Sequence, residues 1–324
     1  MNKINEFIEK IKGLNKKVVF PEGEDERILK ASSELLKEKI VFPILIGKKE
    51  KIFELGKNIG IDNITQIEII EVENSEYFPE FVNRYCEKRK NISKNVSEKI
   101  VRKPLIFGGL MVDTGKCDSM VAGASNTTAS VIQAASLTIG YPEGIKTPSS
   151  FFIMALPNEK IYFFADCAVN ICPDENQLAE IGITTGINYK KLMEEEPKIA
   201  FLSFSTKGSA SHPAVEKVQK AVKIAKERNN TFDIDGELQV DAAINEDVAK
   251  RKIKDFSPVA GKANVLIFPD LNAGNIGYKI TQYLGNAEAY GPILQGFAKP
   301  VSDLSRGAKV KDIIITTVIT CLMS

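Results

Sequence analysis

Three short polar stretches carry residue types suited to holding an anion. The first is Phe297-Ala298-Lys299-Pro300-Val301-Ser302-Asp303-Leu304-Ser305-Arg306-Gly307. Its arginine, beside serine and glycine, offers a planar fork of donors together with backbone amides, a combination that suits phosphate. A polar turn ahead of a final helix accounts for the same residues. The second is Ala122-Gly123-Ala124-Ser125-Asn126-Thr127-Thr128, which enters the helical run Ala129 to Leu137. The unpaired amides of that first turn can receive an anion, or Ser and Thr can cap them. The third, Pro269 to Lys279, follows the strand Val265 to Phe268. Ligands gather at the carboxyl ends of parallel strands, although Asn272 and Asn275 are equally suited to capping a helix. The stretch Arg84 to Lys103 contains eight Lys or Arg against two Glu, an excess of +6. It reads as an anion-binding surface or as a solvated helix face.

Other chemistries find less support. The only histidine, His212, stands just before the helical run Val215 to Lys226 and reads as a helix-start residue. A Ser-His-Asp triad would rest on it alone, and the sequence has no Gly-x-Ser-x-Gly elbow. A dinucleotide-binding Gly-x-Gly-x-x-Gly is absent, and Gly109 to Lys116 is one residue too long for a Walker loop. Cys86, Cys117, Cys167, Cys172 and Cys321 are odd in number and scattered, which argues against a disulfide framework and for reduced thiols. A four-ligand zinc site is poorly supported, so no metal site is expected. With 43 Lys+Arg against 42 Asp+Glu, bulk charge points to neither nucleic acid nor a membrane surface. No apolar run approaches the ~20 residues that span a bilayer, and the charged N-terminus lacks the features of a secretory signal. The expected address is the cytoplasm.

The 324 residues suffice for about two domains. Ile4, Phe7, Ile8, Ile11 and Leu14 fall at helical steps, and Lys17 to Phe20 reads as a strand. A helix over Glu24 to Lys37 and a strand over Ile40 to Ile46 follow. Strand signals recur at 66–72, 119–121, 151–156, 161–165, 199–204 and 265–268. This alternation predicts an α/β fold with largely parallel sheet. The turn-rich Tyr141 to Pro148 marks a domain boundary, with a second near Gly296 to Pro300. Too little chain follows the second boundary to form its own core, so the tail is expected to rejoin the first domain. The expected division is residues 1–143 plus 298–324 against 144–297.

Several separated stretches, in order, resemble the phosphate acetyltransferase (phosphotransacetylase) family. They are Val18 to Arg27, Met120 to Thr128, Ser149 to Met154, Phe164 to Asn170, Leu202 to Ser209, Asp235 to Gln239, Phe268 to Lys279 and Gln295 to Gly307. The resemblance implies two α/β domains with an interdomain cleft, like the isocitrate and isopropylmalate dehydrogenases, and a homodimer with the second domain as the probable contact. It implies reversible acetyl transfer between acetyl phosphate and coenzyme A, giving acetyl-CoA and inorganic phosphate. Coenzyme A is then a substrate, and no tightly bound cofactor is expected.

The same resemblance assigns roles to residues. Asp312, six residues beyond Arg306, becomes the general base; Ser305 hydrogen-bonds the thiol or acyl group; Arg306 stabilises the phosphoryl and carbonyl oxygens. A free thiol has a pKa of ~8.5, so a positioned carboxylate raises the share of thiolate, and the charge growing on oxygen needs fixed donors. Without the resemblance, Asp312 reads as a first-turn acid on the closing helix. For coenzyme A the resemblance points to Arg89, with Arg84 as the fallback, and to the loop Ser125, Asn126, Thr127 and Thr128. Tyr278 and Lys279 are weaker choices. Gln133 stands where the family carries an arginine, and Lys90-Asn91-Ile92-Ser93 also departs from the family pattern. Alternatives are a butyryl- or propionyl-specific transferase, a non-catalytic regulatory module of the same fold, and a metal-dependent dehydrogenase, for which clustered aspartates and a nicotinamide site are lacking.

Overall fold

A computed structural model describes residues 3–90 and 92–324, so Met1, Asn2 and Asn91 lie outside the described residues. The chain divides into two units. One comprises the chain up to Pro142 together with Phe297–Ser324, and the other is Glu143–Gly296.

The first unit opens with α1 (Lys3–Ile11), which buries Ile4, Phe7 and Ile11 at the predicted helical spacing. Next come β1 (Lys17–Phe20), α2 (Glu26–Lys37), β2 (Phe42–Ile46), α3 (Lys49–Asn58) and β3 (Glu68–Ile70). The chain continues through α4 (Phe78–Lys88), α5 (Lys94–Val101), α6 (Pro104–Asp113), β4 (Ser119–Ala122) and α7 (Thr128–Thr138). The basic stretch is therefore not one helix. It breaks after α4, and Ser93 starts α5 by accepting the Val96 amide. The Walker-like segment is largely the buried helix α6. A Cβ on Gly109 would lie 2.1 Å from Thr138 Oγ1, so only glycine lets α6 lie this close to α7.

The second unit holds β5 (Ser149–Ala155), β6 (Ile161–Ala165), α8 (Glu175–Met193), β7 (Lys198–Leu202), α9 (Pro213–Arg228) and β8 (Asp233–Leu238). It is completed by α10 (Val240–Ile244), α11 (Glu246–Lys252), β9 (Val265–Ile267), α12 (Leu271–Tyr283) and β10 (Glu288–Gln295). The chain then returns to the first unit as β11 (Val301–Asp303) and α13 (Val310–Leu322).

The first sheet has the order β11-β4-β1-β2-β3, and every pairing in it is parallel. Its central strands β1 and β4 bury Val18, Val19, Phe20, Met120 and Val121, as expected of strands covered on both faces. α13 is apolar over most of its circumference and buries nearly all of Ile313 to Leu322. Its Thr317 and Thr320 hydroxyls donate to Ile313 O and Thr316 O, so these polar atoms are satisfied inside the core.

The second sheet, β10-β5-β6-β9-β7-β8, is mixed. β6, β9, β7 and β8 run parallel, whereas β5 is antiparallel to both β6 and β10. The reason is the connection. Only Leu156–Lys160 separates β5 from β6, far too short for a parallel crossover, and Leu156 N donates to Lys160 O across the turn. Of the two readings of Pro269 to Lys279, the capped helix holds, although the cap is Asp270 rather than either asparagine. Asp270 accepts the Ala273 amide as an N-cap, and α12 begins immediately after it. Among the described residues no helix is long and apolar enough to cross a membrane.

Candidate active site

In the first unit β11, β4 and β1 are neighbours and parallel, so the segments leaving their carboxyl ends lie side by side. These segments are Pro21 to Asp25, Gly123 to Thr127 and Leu304 to Lys309. Two charged side chains, Glu22 of the first segment and Arg27 of the helix that follows it, lock the other two in place.

Glu22 is buried, and its carboxylate fills the concavity of the β4–α7 loop. Oε2 accepts the amides of Gly123 and Ala124 at 2.8 Å each. Oε1 accepts the amides of Ser125 and Asn126 at 2.9 and 2.7 Å, together with Ser125 Oγ and Asn126 Nδ2. Successive amides converging on one anion form a nest of the phosphate-binding kind. Here the chain's own carboxylate occupies it. The loop amides ahead of the first turn of α7, with the side-chain donors of Ser125 and Asn126, are therefore engaged by Glu22 rather than open to a ligand, and the first turn itself is capped. Thr127 is the N-cap of α7, accepting the Ser130 amide, and Thr128 Oγ1 donates to Asp303.

Arg27, in the first turn of α2, uses its whole donor fork. Nη1 donates to Arg306 O at 2.6 Å and Ala308 O at 3.2 Å, and Nη2 donates to Ala124 O at 2.8 Å. Nε and Nη2 also bind the Asp25 carboxylate at 3.1 and 2.8 Å. Burial works against the charge on Asp25, but the Arg27 hydrogen bonds outweigh it and hold the carboxyl below its ordinary range. One guanidinium thus ties all three segments together, which a flexible ammonium cannot do.

Ser305 and Arg306 sit exposed on the segment so held. Ser305 Oγ accepts the Gly307 amide at 3.2 Å. The Arg306 carbonyl is anchored by Arg27, while its guanidinium has no hydrogen bond or ion pair among the described residues. Asp312 is exposed in the first turn of α13, where Oδ2 accepts the Lys309 amide at 2.9 Å. That is the capping geometry of a first-turn acid. Oδ1 accepts no hydrogen bond among the described residues. Asp303 ends β11 two residues before Ser305. Its residue is 2 % exposed, Oδ2 takes the Thr128 hydroxyl and Oδ1 has no partner among the described residues. Burial, added to by the nearby charge of Glu22, pushes this carboxyl up to about 6. Gly123 makes the approach possible, since it adopts a φ of +104° and a Cβ there would lie 2.1 Å from Asp303 Oδ1.

A cavity of about 930 Å³ opens in the same unit, beside these strand ends. Glu22, Ser125, Asn126, Gln133 and Lys103 line it, with an apolar wall from Ile46, Tyr85, Ile100, Ile106 and Leu137. Arg89, the residue that ends α4, turns instead to the last turn of α7. Nη2 donates to Ser136 O at 2.9 Å and Nε to Leu137 O at 3.3 Å, while Nη1 makes no hydrogen bond among the described residues. Arg84 is paired with Asp113 at 2.7 Å.

Tyr278 and Lys279 belong to the second unit. The Tyr278 ring stacks on Phe152 with centroids 4.1 Å apart and packs against the buried core, and Lys279 lies 5.5 Å from the same ring centroid. Tyr278 therefore serves packing, and Lys279 is exposed. His212 is the N-cap of α9, with Nδ1 accepting the Ala214 amide at 3.1 Å, as its place before the helical run predicted.

Sequence reasoning gave no role to Glu22, Arg27 or Asp303. Their partners stand about a hundred or more positions away along the chain, so no local spacing reveals the pairing. The available signal was a run of charge, Glu22 to Arg27, directly after an apolar strand.

The sequence matches the model of the family described as Phosphate acetyl/butaryl transferase over residues 3–321. It is 45% identical over 321 residues to the phosphate acetyltransferase of Thermoanaerobacterium thermosaccharolyticum, covering 97% of each chain. It superposes on a phosphotransacetylase from Streptococcus pyogenes with a TM-score of 0.94 at 42% identity, covering 99% of this chain and 97% of that one. A protein from Salmonella typhimurium described as a 4-hydroxythreonine-4-phosphate dehydrogenase shares the fold alone, at a TM-score of 0.59 and 10% identity.

Proposed function

Because the chain belongs to the phosphate acetyl/butaryl transferase family, we propose that it catalyses reversible transfer of an acetyl group between acetyl phosphate and coenzyme A. The observation that carries this reading is the loop Ser305-Arg306-Gly307, exposed beyond the end of a parallel strand and fixed through Arg27, with an unengaged guanidinium on it. In this reading Asp312 takes the proton of the coenzyme A thiol. The sulfur attacks the acetyl carbonyl carbon, a C–S bond forms, and the C–O bond to phosphate breaks as inorganic phosphate leaves with the electron pair. Arg306 meets the charge that grows on the carbonyl and phosphoryl oxygens, and Ser305 orients the thiol or acyl group. Coenzyme A is held near Ser125, Asn126, Thr127, Thr128 and Gln133, with Arg89 Nη1 as a further donor. Because Glu22 already occupies the loop amides, the loop does not serve as a phosphate nest.

The five free cysteines suit a reducing compartment, and the reaction is assigned to the cytoplasm. The molecule is assigned as a homodimer formed through the second unit, where α12 and its C-cap residue leave Ile276, Ile280, Tyr283 and Leu284 exposed on one stripe. The test is turnover of acetyl, propionyl and butyryl phosphate with coenzyme A by the purified chain and by its Arg306→Gln variant. The account expects preference for the acetyl substrate and severe loss in both directions in the variant. A preference for the four-carbon substrate would reject the acetyl assignment, and a variant altered only in thermal stability would leave Arg306 a structural residue.

A further inference from the structure

We propose that Lys103 is a phosphate contact for coenzyme A in the first unit's cavity and sets the affinity for that substrate. This inference rests on the acyl-transfer reading and adds to it a residue that sequence reasoning did not single out.

The charged side chains lining the cavity are Glu22, Glu24, Asp25 and Lys103. All three carboxylates are committed. Glu22 is wrapped by the β4–α7 loop, and Glu24 accepts the Lys48 amide at 3.0 Å and pairs with Lys51 at 3.3 Å. Asp25 is held by Arg27. Lys103 differs. Its backbone is fixed at the N-cap of α6, with its amide on Ile100 O and its carbonyl taking the Phe107 amide, yet its ammonium has no hydrogen bond or ion pair among the described residues. An exposed, unpaired cation lining a cavity whose acids are already hydrogen-bonded or ion-paired is the feature that attracts a polyanion.

The cations of α4 and its end are more heavily engaged. Arg89 spends two donors on the Ser136 and Leu137 carbonyls, and Arg84 and Lys88 both bind Asp113. The rest of the cavity matches the remainder of the substrate. Ile46, Ile100, Ile106 and Leu137 offer an apolar wall, and Asn126, Ser130 and Gln133 supply neutral hydrogen-bonding groups suited to an amide-bearing chain. A phosphate held at Lys103 fixes one end of the ligand and leaves its uncharged arm to run along that wall.

The experiment is steady-state kinetics of Lys103→Gln, Lys103→Glu and Lys103→Arg with coenzyme A and with dephospho-coenzyme A. The expected result is a KM for coenzyme A raised about 3- to 10-fold by Gln, further by Glu, and little by Arg, as for an exposed charge-assisted contact. The effect falls on that KM rather than on kcat or on the KM for acetyl phosphate. If the Gln effect vanishes with dephospho-coenzyme A, the 3′-phosphate is the group held; if it persists, the diphosphate is. A KM for coenzyme A that stays within twofold of wild type in both the Gln and Glu variants would overturn the proposal while leaving acyl transfer standing. An inactive wild-type chain would remove the acyl-transfer reading and this inference with it.

Discussion

A carboxylate withdrawn from water is stable only where donors replace its hydration, and Glu22 and Asp303 lie at the two extremes of that condition. Glu22 collects six hydrogen bonds, whereas Asp303 has one hydroxyl and a bare oxygen. Truncating Glu22 to alanine strands several inward-facing amides, so Glu22→Ala should lower unfolding free energy by about 3 kcal/mol, measured by denaturant titration. A loss under about 0.5 kcal/mol, the scale of a neutral surface change, would mean the loop holds its shape unaided. Asp303 predicts a pH effect of defined sign. Its carboxyl rises from 3.8 to about 6 on folding, so between those values the folded chain keeps a proton that the unfolded chain releases. The stability due to that proton is complete below about pH 4 and is lost as pH rises through about 6. Asp303→Asn keeps an acceptor for Thr128 and removes the titration, so its melting temperature relative to wild type should be higher at pH 7.5 than at pH 5. An offset that does not change with pH would contradict the assignment. At this scale Ser305 and Arg306 drew attention as adjacent donors, with their roles supplied by the family resemblance, whereas Glu22 was silent until folding brought a loop 101 positions away onto it.

Among elements, the informative unit is three strand ends held by one side chain. Arg27 binds carbonyls of Ala124, Arg306 and Ala308, so it belongs to the positioning of Arg306 rather than to the reaction. Arg27→Lys retains the charge but offers a single point donor in place of a fork. Turnover should fall about 10- to 100-fold, the cost of a misplacement near 1 Å, with a smaller change in melting temperature. Unaltered kcat in a folded variant would show that the loop needs no such tie. Strand and helix alternation was legible along most of the chain because buried parallel strands are short apolar runs, such as Lys17–Phe20 and Val265–Ile267. Two details were not legible, for physical reasons. The hairpin of β5 and β6 was hidden because strand residues look alike in either direction, and only the brevity of Leu156–Lys160 betrays it. The glycines and asparagines of α12 obscured a helix because their propensity is poor. Gly274 is required there, since a Cβ would lie 2.2 Å from Asp166 O, and Asn275 donates to Cys167 O.

For the whole molecule, the α/β class was evident from alternation, and the arrangement of the last 28 residues follows from the sheet. Phe297–Ser324 cannot form a core alone, and β11 pairs with β4 while α13 buries its apolar surface in the first unit. Assembly belongs to this scale as well. If the exposed stripe of α12 is the homodimer contact, Ile280→Glu should convert the purified protein to monomers in sedimentation or light scattering at unchanged helical content. A dimer persisting in that variant would move the contact elsewhere. The proposal that organises the rest is acetyl transfer carried by Ser305, Arg306 and Asp312. Its most direct test is the rate of acetyl-CoA formation from acetyl phosphate and coenzyme A by the wild-type chain and by Asp312→Asn. The account predicts turnover by the wild type and a loss of ~10² to 10⁴ in the variant, with the fold intact. Equal rates in the two proteins would contradict it.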